Sequence, residues 1–309
     1  MKLISIVTPC FNEENNIREL YGQVKAIMTG LENYRYEHIF IDNASTDRTV
    51  DILRELAQND KNLKVIVNTR NFGHIRSPYH AILQTQGDAV ISIVADLQDP
   101  PELIKEFVKK WESGFKIVVG VKKESRESKL FYTLRQLYYR TLVRLANVEL
   151  IEQFTGFGLY DREVINILRN LKEPYPYFRG LIAEIGLPRA SVEYLQPARH
   201  RGITKNNFYT LLDIALLGLT SHSKVPLRLA VIVGFIAAVV SLAVALFYLV
   251  YKLLFWNSFT VGLAPLVVGI FFFSSVQLLF LGIVGEYVGS IHTYVQNRPL
   301  VVEKERINF

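Results

Sequence analysis

Two uncharged runs near the carboxyl end constrain this chain more than any other feature. Leu229 to Tyr251 and Leu263 to Val284 contain no Asp, Glu, Lys or Arg. At about 1.5 Å of rise per residue, a helix of either length crosses a hydrocarbon core of roughly 30 Å. A soluble core helix is shorter and keeps a polar stripe, so the pair predicts two transmembrane helices. The link between them, around Trp256, Asn257 and Ser258, is short. The spans therefore form a hairpin, and the segments flanking it lie on one side. Arg228 precedes the first span, Arg298, Lys304 and Arg306 follow the second, and the link carries only Lys252 at its edge. The positive-inside rule places the large amino-terminal part and the tail in the cytoplasm, which predicts a multi-pass protein of the inner (plasma) membrane. Gly285 and Gly289 form a small-residue pair that would let spans pack closely in an oligomer, a homotetramer among the options.

The hydrophobic content of 50% is therefore an average over two unlike parts. The expected organisation is an enzyme-like domain over 1–205, an amphipathic juxtamembrane helix within 206–226, two spans within 227–290 and a cytoplasmic tail over 291–309. Phe208 to Leu219 reads equally as a helix lying in the headgroup layer or as an ordinary core helix. Net charge is +6, and the cluster Arg199, His200, Arg201 and Lys205 lies just before the apolar region. That position suits anionic lipid headgroups rather than nucleic acid; the alternative is a solvated loop. The single cysteine, Cys10, excludes an intramolecular disulfide and a zinc site built from cysteine pairs, and reads as a buried thiol. The apolar run Leu3 to Pro9 is too short for a secretory signal, so none is expected there.

Over the first 120 or so positions, apolar runs alternate with helical patterns. Strands are expected at Leu3–Pro9, His38–Asp42, Leu63–Val67, Ala89–Ala95 and Lys116–Val121. Helices are expected at Ile17–Thr29 and Thr49–Gln58, with another opening at Pro100 and Pro101, where a missing N–H does no harm. Such alternation argues for a mainly parallel, Rossmann-like α/β sheet covered on both faces. Ligands bind such sheets at the carboxyl ends of the strands. The polar segments there are Phe11–Asn12–Glu13–Glu14, Asp42–Asn43, Arg70–Asn71–Phe72–Gly73 and Asp96–Leu97–Gln98–Asp99. Taken alone, Asn12–Glu13–Glu14 is a helix-start signal, and Asp42 an ordinary turn aspartate. Residues 154 to 195 give a mixed pattern broken by Pro174, Pro176 and Pro188.

Pro9–Cys10–Phe11–Asn12–Glu13–Glu14, Asp42–Asn43–Ala44–Ser45–Thr46–Asp47, Arg70–Asn71–Phe72–Gly73 and Ala95–Asp96–Leu97–Gln98–Asp99–Pro100–Pro101 occur in that order before the hairpin. In this the chain resembles glycosyltransferase family 2, in its polyprenyl-phosphate branch, over nearly its whole length. The resemblance implies a GT-A fold, a nucleotide-sugar donor (UDP-linked by analogy), inversion at the anomeric carbon, Mg²⁺ or Mn²⁺, and a polyprenyl (undecaprenyl) phosphate acceptor. It implies that Pro9, Phe11 and Glu13 contact base and ribose and that Asp42 accepts from the nucleoside. Charge building on the leaving diphosphate calls for a cation held by hard oxygen ligands. Asp96 is the expected metal ligand, with Gln98 assisting it or orienting the donor. Asp99 is either an acceptor behind Asp96 or the cap of the following helix, the cap being preferred. Arg70 and His74 would face the diphosphate or simply belong to a surface loop. For the acceptor phosphate, Arg126 is the leading candidate, followed by Arg199, Arg201 and Lys205, because a guanidinium fork matches phosphate oxygens.

The chain departs from the family pattern twice. Val94 stands where the family usually has an aspartate two residues before the metal ligand. Thr155–Gly156–Phe157–Gly158 stands where many relatives carry a Gly-Asp-Phe-Arg-like segment. Two other readings are therefore weighed: a non-catalytic nucleotide- or lipid-binding membrane scaffold, and a processive polysaccharide synthase. Such synthases carry a Gln-x-x-Arg-Trp segment, and neither Trp111 nor Trp256 sits in one.

Overall fold

The computed structural model describes residues 1–123, 151, 153–197, 225–255 and 263–309. Its strands are β1 (Lys2–Cys10), β2 (Tyr34–Asp42), β3 (Leu63–Asn68), β4 (Ala89–Ser92), β5 (Ile117–Lys122), β6 (Phe154–Asp161), β7 (Arg189–Tyr194) and β8 (Glu303–Ile307). Among the described residues they form one sheet in the order β7-β5-β6-β4-β1-β2-β3-β8. β1 runs parallel to β2 and β4, β2 to β3, and β5 to β7. β6 is antiparallel to β4 and β5, and β8 to β3.

β1 and β2 are apolar on successive residues because both faces of the sheet are covered. Ile4, Ile6 and Phe40 pack under α1 (Ile17–Thr29), α2 (Thr49–Asn59) and α4 (Ile104–Glu112). Val7, Ile39 and Ile41 pack under α3 (Gly73–Gln84), α5 (Arg162–Leu171) and α6 (Phe178–Glu184). α3 is absent from the expectations because Pro78 sits inside it and breaks the helical pattern. β6 and β7 lie in the stretch that reads as mixed. β4 ends at Ser92 rather than Ala95, since the chain leaves the sheet early to make the Asp96 turn.

Two long helices follow, α7 (Val225–Leu254) and α8 (Leu263–Gln296). Both are long and apolar enough to cross a membrane, and nothing in the described chain covers them. Phe235 and Phe271 are each 70% exposed. A Cβ added at Gly285 or Gly289 would meet no atom within 4 Å, so this face is open in the single chain.

The expected tail is partly structured. α8 runs on to Gln296, and β8 then closes the edge of β3, which would otherwise present unpaired backbone groups. The Thr69 N–H donates to the Val302 carbonyl at 2.9 Å, and the Asn308 amide donates to the Ala57 and Leu63 carbonyls at 2.7 and 2.9 Å. Ion pairs Arg54–Glu305 (2.7 Å) and His80–Glu303 (2.6 Å) fix the strand further. The residues after α8 thus belong to the sheet domain. The proposed juxtamembrane helix up to residue 224, and the boundary at 205, lie outside the described residues; position 226 falls in the first turn of α7.

Candidate active site

β1, β2, β3, β4, β5 and β7 all point the same way, so the loops after them line one edge of the sheet. Three of the non-glycine residues with positive φ sit in these loops: Asn12 (56°), Ala44 (62°) and Leu97 (58°). Backbone held in this sparsely populated region needs support from its surroundings and gathers at functional sites.

That support is visible after β1 and β2. The Asn12 N–H donates to Ser45 Oγ at 2.8 Å, and Asn12 Oδ1 accepts the Thr46 N–H at 2.8 Å. The Glu13 N–H donates to Thr49 Oγ1 at 2.9 Å, and the Arg48 N–H donates to Glu14 Oε2 at 3.0 Å. Asp42 is wholly buried, and its two oxygens accept from the Ser45 N–H (2.9 Å) and Ser45 Oγ (2.5 Å). Burial pushes its carboxyl above the ordinary range, and the bonds from Ser45 partly offset the rise. Asp42 therefore anchors the β2 loop. Pro9, Phe11 and Glu13, at the end of β1 and in the loop after it, are half-buried. Cys10 is buried as expected, and burial with the charge of Asp42 raises its thiol.

The β4 loop is built differently. Asp96 is half-buried, its Oδ1 accepts the Gln98 N–H at 3.2 Å, and Gln98 is also half-buried. Asp99 turns inward, only 3% exposed, and accepts the Tyr194 hydroxyl of β7 at 2.9 Å. Burial pushes Asp99 up to about 6, against the pull of Tyr194 and Lys122. The preferred reading of Asp99 as a helix cap is not met: Pro100 precedes the 3₁₀ turn Pro101–Leu103, which has no side-chain cap. Asp99 instead accepts from Tyr194 and, at 3.5 Å, from the Val94 N–H. Its partner Tyr194 is not legible in the sequence, because its strand lies in the mixed stretch.

Among the described residues, no group of three or more His, Cys, Asp or Glu side chains could hold a metal. One half-buried carboxylate in the loop after β4 nonetheless fits a hard cation whose other ligands are phosphate and water oxygens. Asp96 and Gln98 fit that pattern, and the inward-turned Asp99 does not join it.

One of the two departures has a structural cause, and the other has none in the structure. Gly156 has φ of 107°, and a Cβ at Gly158 would lie 2.4 Å from the Val118 carbonyl oxygen. β5 and β6 thus approach too closely for an arginine at position 158. Val94 is 38% exposed, an apolar surface beside Asp96.

Arg70 is not brought to Asp96. Three strand spacings separate β3 from β4, roughly 14 Å across the sheet at about 4.8 Å each. Arg70 is exposed and lies over the Phe72 ring, 4.1 Å from its centroid. His74 is exposed in the first turn of α3. Arg126, Arg199, Arg201 and Lys205 lie outside the described residues, but the starting points of their segments do not. β5 pairs with β7 in a register that sets Lys122 opposite Tyr194, and the Lys123 N–H donates to the Tyr194 carbonyl at 2.9 Å. Both segments leave the sheet side by side, on the edge that carries Asp96.

A mainly parallel sheet of this order, with acidic loops along one edge, defines a GT-A type transferase domain. The chain belongs to glycosyl transferase family 2, whose sequence model matches residues 5–168. It is 33% identical over 303 residues to the SfII prophage-derived bactoprenol glucosyl transferase of Shigella flexneri, covering 98% of this chain and 97% of that protein. It is 31% identical to the prophage bactoprenol glucosyl transferase homolog of Escherichia coli (strain K12), over 97% of this chain and 98% of that one. The glycosyltransferase YkcC of Bacillus subtilis (strain 168) is 35% identical over 96% and 92% of the two chains. Among solved structures, S. aureus TarS 1–349 in complex with UDP-GlcNAc matches with a TM-score of 0.44 at 15% identity, over 72% of this chain and 68% of that one.

Proposed function

We propose that this glycosyltransferase moves a sugar from a nucleotide-sugar, UDP-linked, to a polyprenyl phosphate at the cytoplasmic face of the inner membrane, with inversion. The observation that carries this reading is the pairing of a half-buried Asp96 turn at the carboxyl end of the sheet with two uncovered apolar helices in one chain. The near full-length likeness to proteins named bactoprenol glucosyl transferase supports it.

Asp96, assisted by Gln98, would hold Mg²⁺ or Mn²⁺, whose charge offsets that developing on the leaving diphosphate. Pro9, Phe11 and Glu13 would line the nucleoside subsite, with Asp42 shaping its loop from beneath. Arg126, and then Arg199, Arg201 and Lys205, would hold the acceptor phosphate; the shared exit of β5 and β7 supports this. A phosphate oxygen of the lipid attacks the anomeric carbon, the bond to the diphosphate breaks, and the nucleoside diphosphate leaves with the electron pair. A polyprenyl phosphate is already anionic at neutral pH, so the step needs no strong general base. The open face at Gly285 and Gly289 is available for helix packing in a homotetramer.

The experiment is a screen of nucleotide-sugars with the detergent-purified chain and polyprenyl phosphate, followed by mass spectrometry of the extracted lipid. A glycolipid from one donor, lost in Asp96→Ala, is expected. Absence of product from every donor would overturn the reading.

A further inference from the structure

Arg70 and Arg76, six positions apart, lie over one ring, and Arg298 adds its charge to Arg76 from the segment after α8. Arg70 lies 4.1 Å and Arg76 5.6 Å from the Phe72 centroid, and Arg298 enters just after α8, where an Arg76 Nη donates to the Pro299 carbonyl. Among the described residues, none of the three belongs to an ion pair. Arg76 Nε is buried without a hydrogen-bond partner. Burial, then repulsion by Arg70 and Arg298, holds the Arg76 guanidinium below its ordinary range. α3 begins beside them at Gly73, and no side chain caps its amino end. Its first N–H groups and its dipole favour an anion at the same place.

Like charges held together around an unsatisfied donor cost stability unless something neutralises them. We infer that Arg70, Arg76 and Arg298 form a phosphate-binding site distinct from the crevice at Asp96. The three strand spacings between β3 and β4 keep it apart from Asp96. The ligand is a phosphate group, carried either by a soluble molecule or by a lipid headgroup. α8 continues past the uncharged stretch to Gln296, about 18 Å at the helical rise. An upright α8 therefore sets the cluster below the headgroup layer and favours the soluble source.

The test uses the full chain in detergent, with divalent cations chelated, and reads apparent Tm in sodium phosphate against sodium chloride at equal ionic strength. Wild type is compared with R76Q, R298Q, the double variant, and R35Q, which removes an exposed arginine near the start of β2. Phosphate should raise the Tm of wild type and R35Q by about 2–4 °C, and that of the double variant far less. Without phosphate, the double variant should melt no lower than wild type, because repulsion is relieved; a merely structural cluster would melt lower. A second arm repeats the comparison in nanodiscs of phosphatidylcholine with and without phosphatidylglycerol. A variant-dependent shift in this arm alone assigns the site to headgroups, and in the first arm alone to a soluble phosphate. UDP affinity with Mn²⁺ should stay within about twofold in the double variant, as distant sites are nearly independent. Equal shifts in all variants, no shift in either arm, or loss of UDP binding with the arginines would overturn the inference. If the double variant fails to fold, R76Q and R298Q carry the same comparison singly.

Discussion

The loops after β1 and β2 and the loop after β4 border the same crevice but are built on opposite plans. After β1 and β2, carboxylates are consumed in holding the backbone: Asp42 binds Ser45, Glu14 binds the Arg48 N–H, and Asp47 Oδ1 binds Thr49. After β4, the inner carboxylate Asp99 is tied across the sheet to Tyr194, and the half-buried Asp96 accepts the Gln98 N–H two residues on. The first region is finished before any ligand arrives, as suits recognition of a rigid nucleoside. The second is anchored from beneath by Asp99 and keeps the half-buried Asp96 in a short turn of its own, as suits a cation that arrives with a diphosphate.

The sharpest way to break this contrast is Asp96→Ala. Turnover should fall about 10²–10³-fold, the usual loss for one preorganised electrostatic group, while binding of nucleotide without metal stays unchanged. Equal losses in both would make Asp96 a loop anchor like Asp42. On the other side, Asn12→Ala removes the acceptor for the Thr46 N–H and puts alanine, which tolerates the left-handed region less well than asparagine, at φ of 56°. Strain and lost bonds should cost about 2–3 kcal/mol and raise the donor KM about tenfold or more. Asn12→Gly, which tolerates the φ, should recover part of that loss in the same KM series.

Tyr194→Phe probes the anchor beneath Asp96. It leaves a buried Asp99 oxygen short of its donor, at a cost of about 1–3 kcal/mol, read as a drop in apparent Tm. It should weaken metal-dependent nucleotide binding severalfold and leave metal-free binding alone, as isothermal titration would report. The smallest effect expected is on pH. The folded-state value of Asp99, about 6, lies above its ordinary 3.8, so the folded chain keeps a proton that the unfolded chain has shed. Its contribution to stability is therefore highest below about pH 4 and falls as pH rises to about 6. Asp99→Asn should flatten that part of the Tm profile by about 2–4 °C, and an unchanged profile would remove Asp99 as its source.

How much of this was readable in advance follows from the same contrast. Strands β1 to β3 and helices α1 and α2 were legible because their apolar runs are buried on both faces and bounded by polar loops. The Asp96 turn was legible from its motif. The role of Asp99 was not, since its partner Tyr194 is 95 positions away in sequence and comes from a strand hidden in a proline-broken stretch. Arg76 was missed with α3, whose interior Pro78 disguises it. β8 was missed because its four alternating charges, Glu303 to Arg306, read as a solvated tail until the open edge of β3 is seen. The loss of charge reads as a defect in sequence; in three dimensions it is close strand packing at Gly158 and a positive φ at Gly156.

The most direct measurement of the central claim is nucleoside diphosphate release by the chain in a bilayer, with and without polyprenyl phosphate, alongside the glycolipid formed. The account predicts release that requires the lipid phosphate and equals glycolipid one for one. Release at the same rate without the lipid, or with no sugar joined to it, would contradict it.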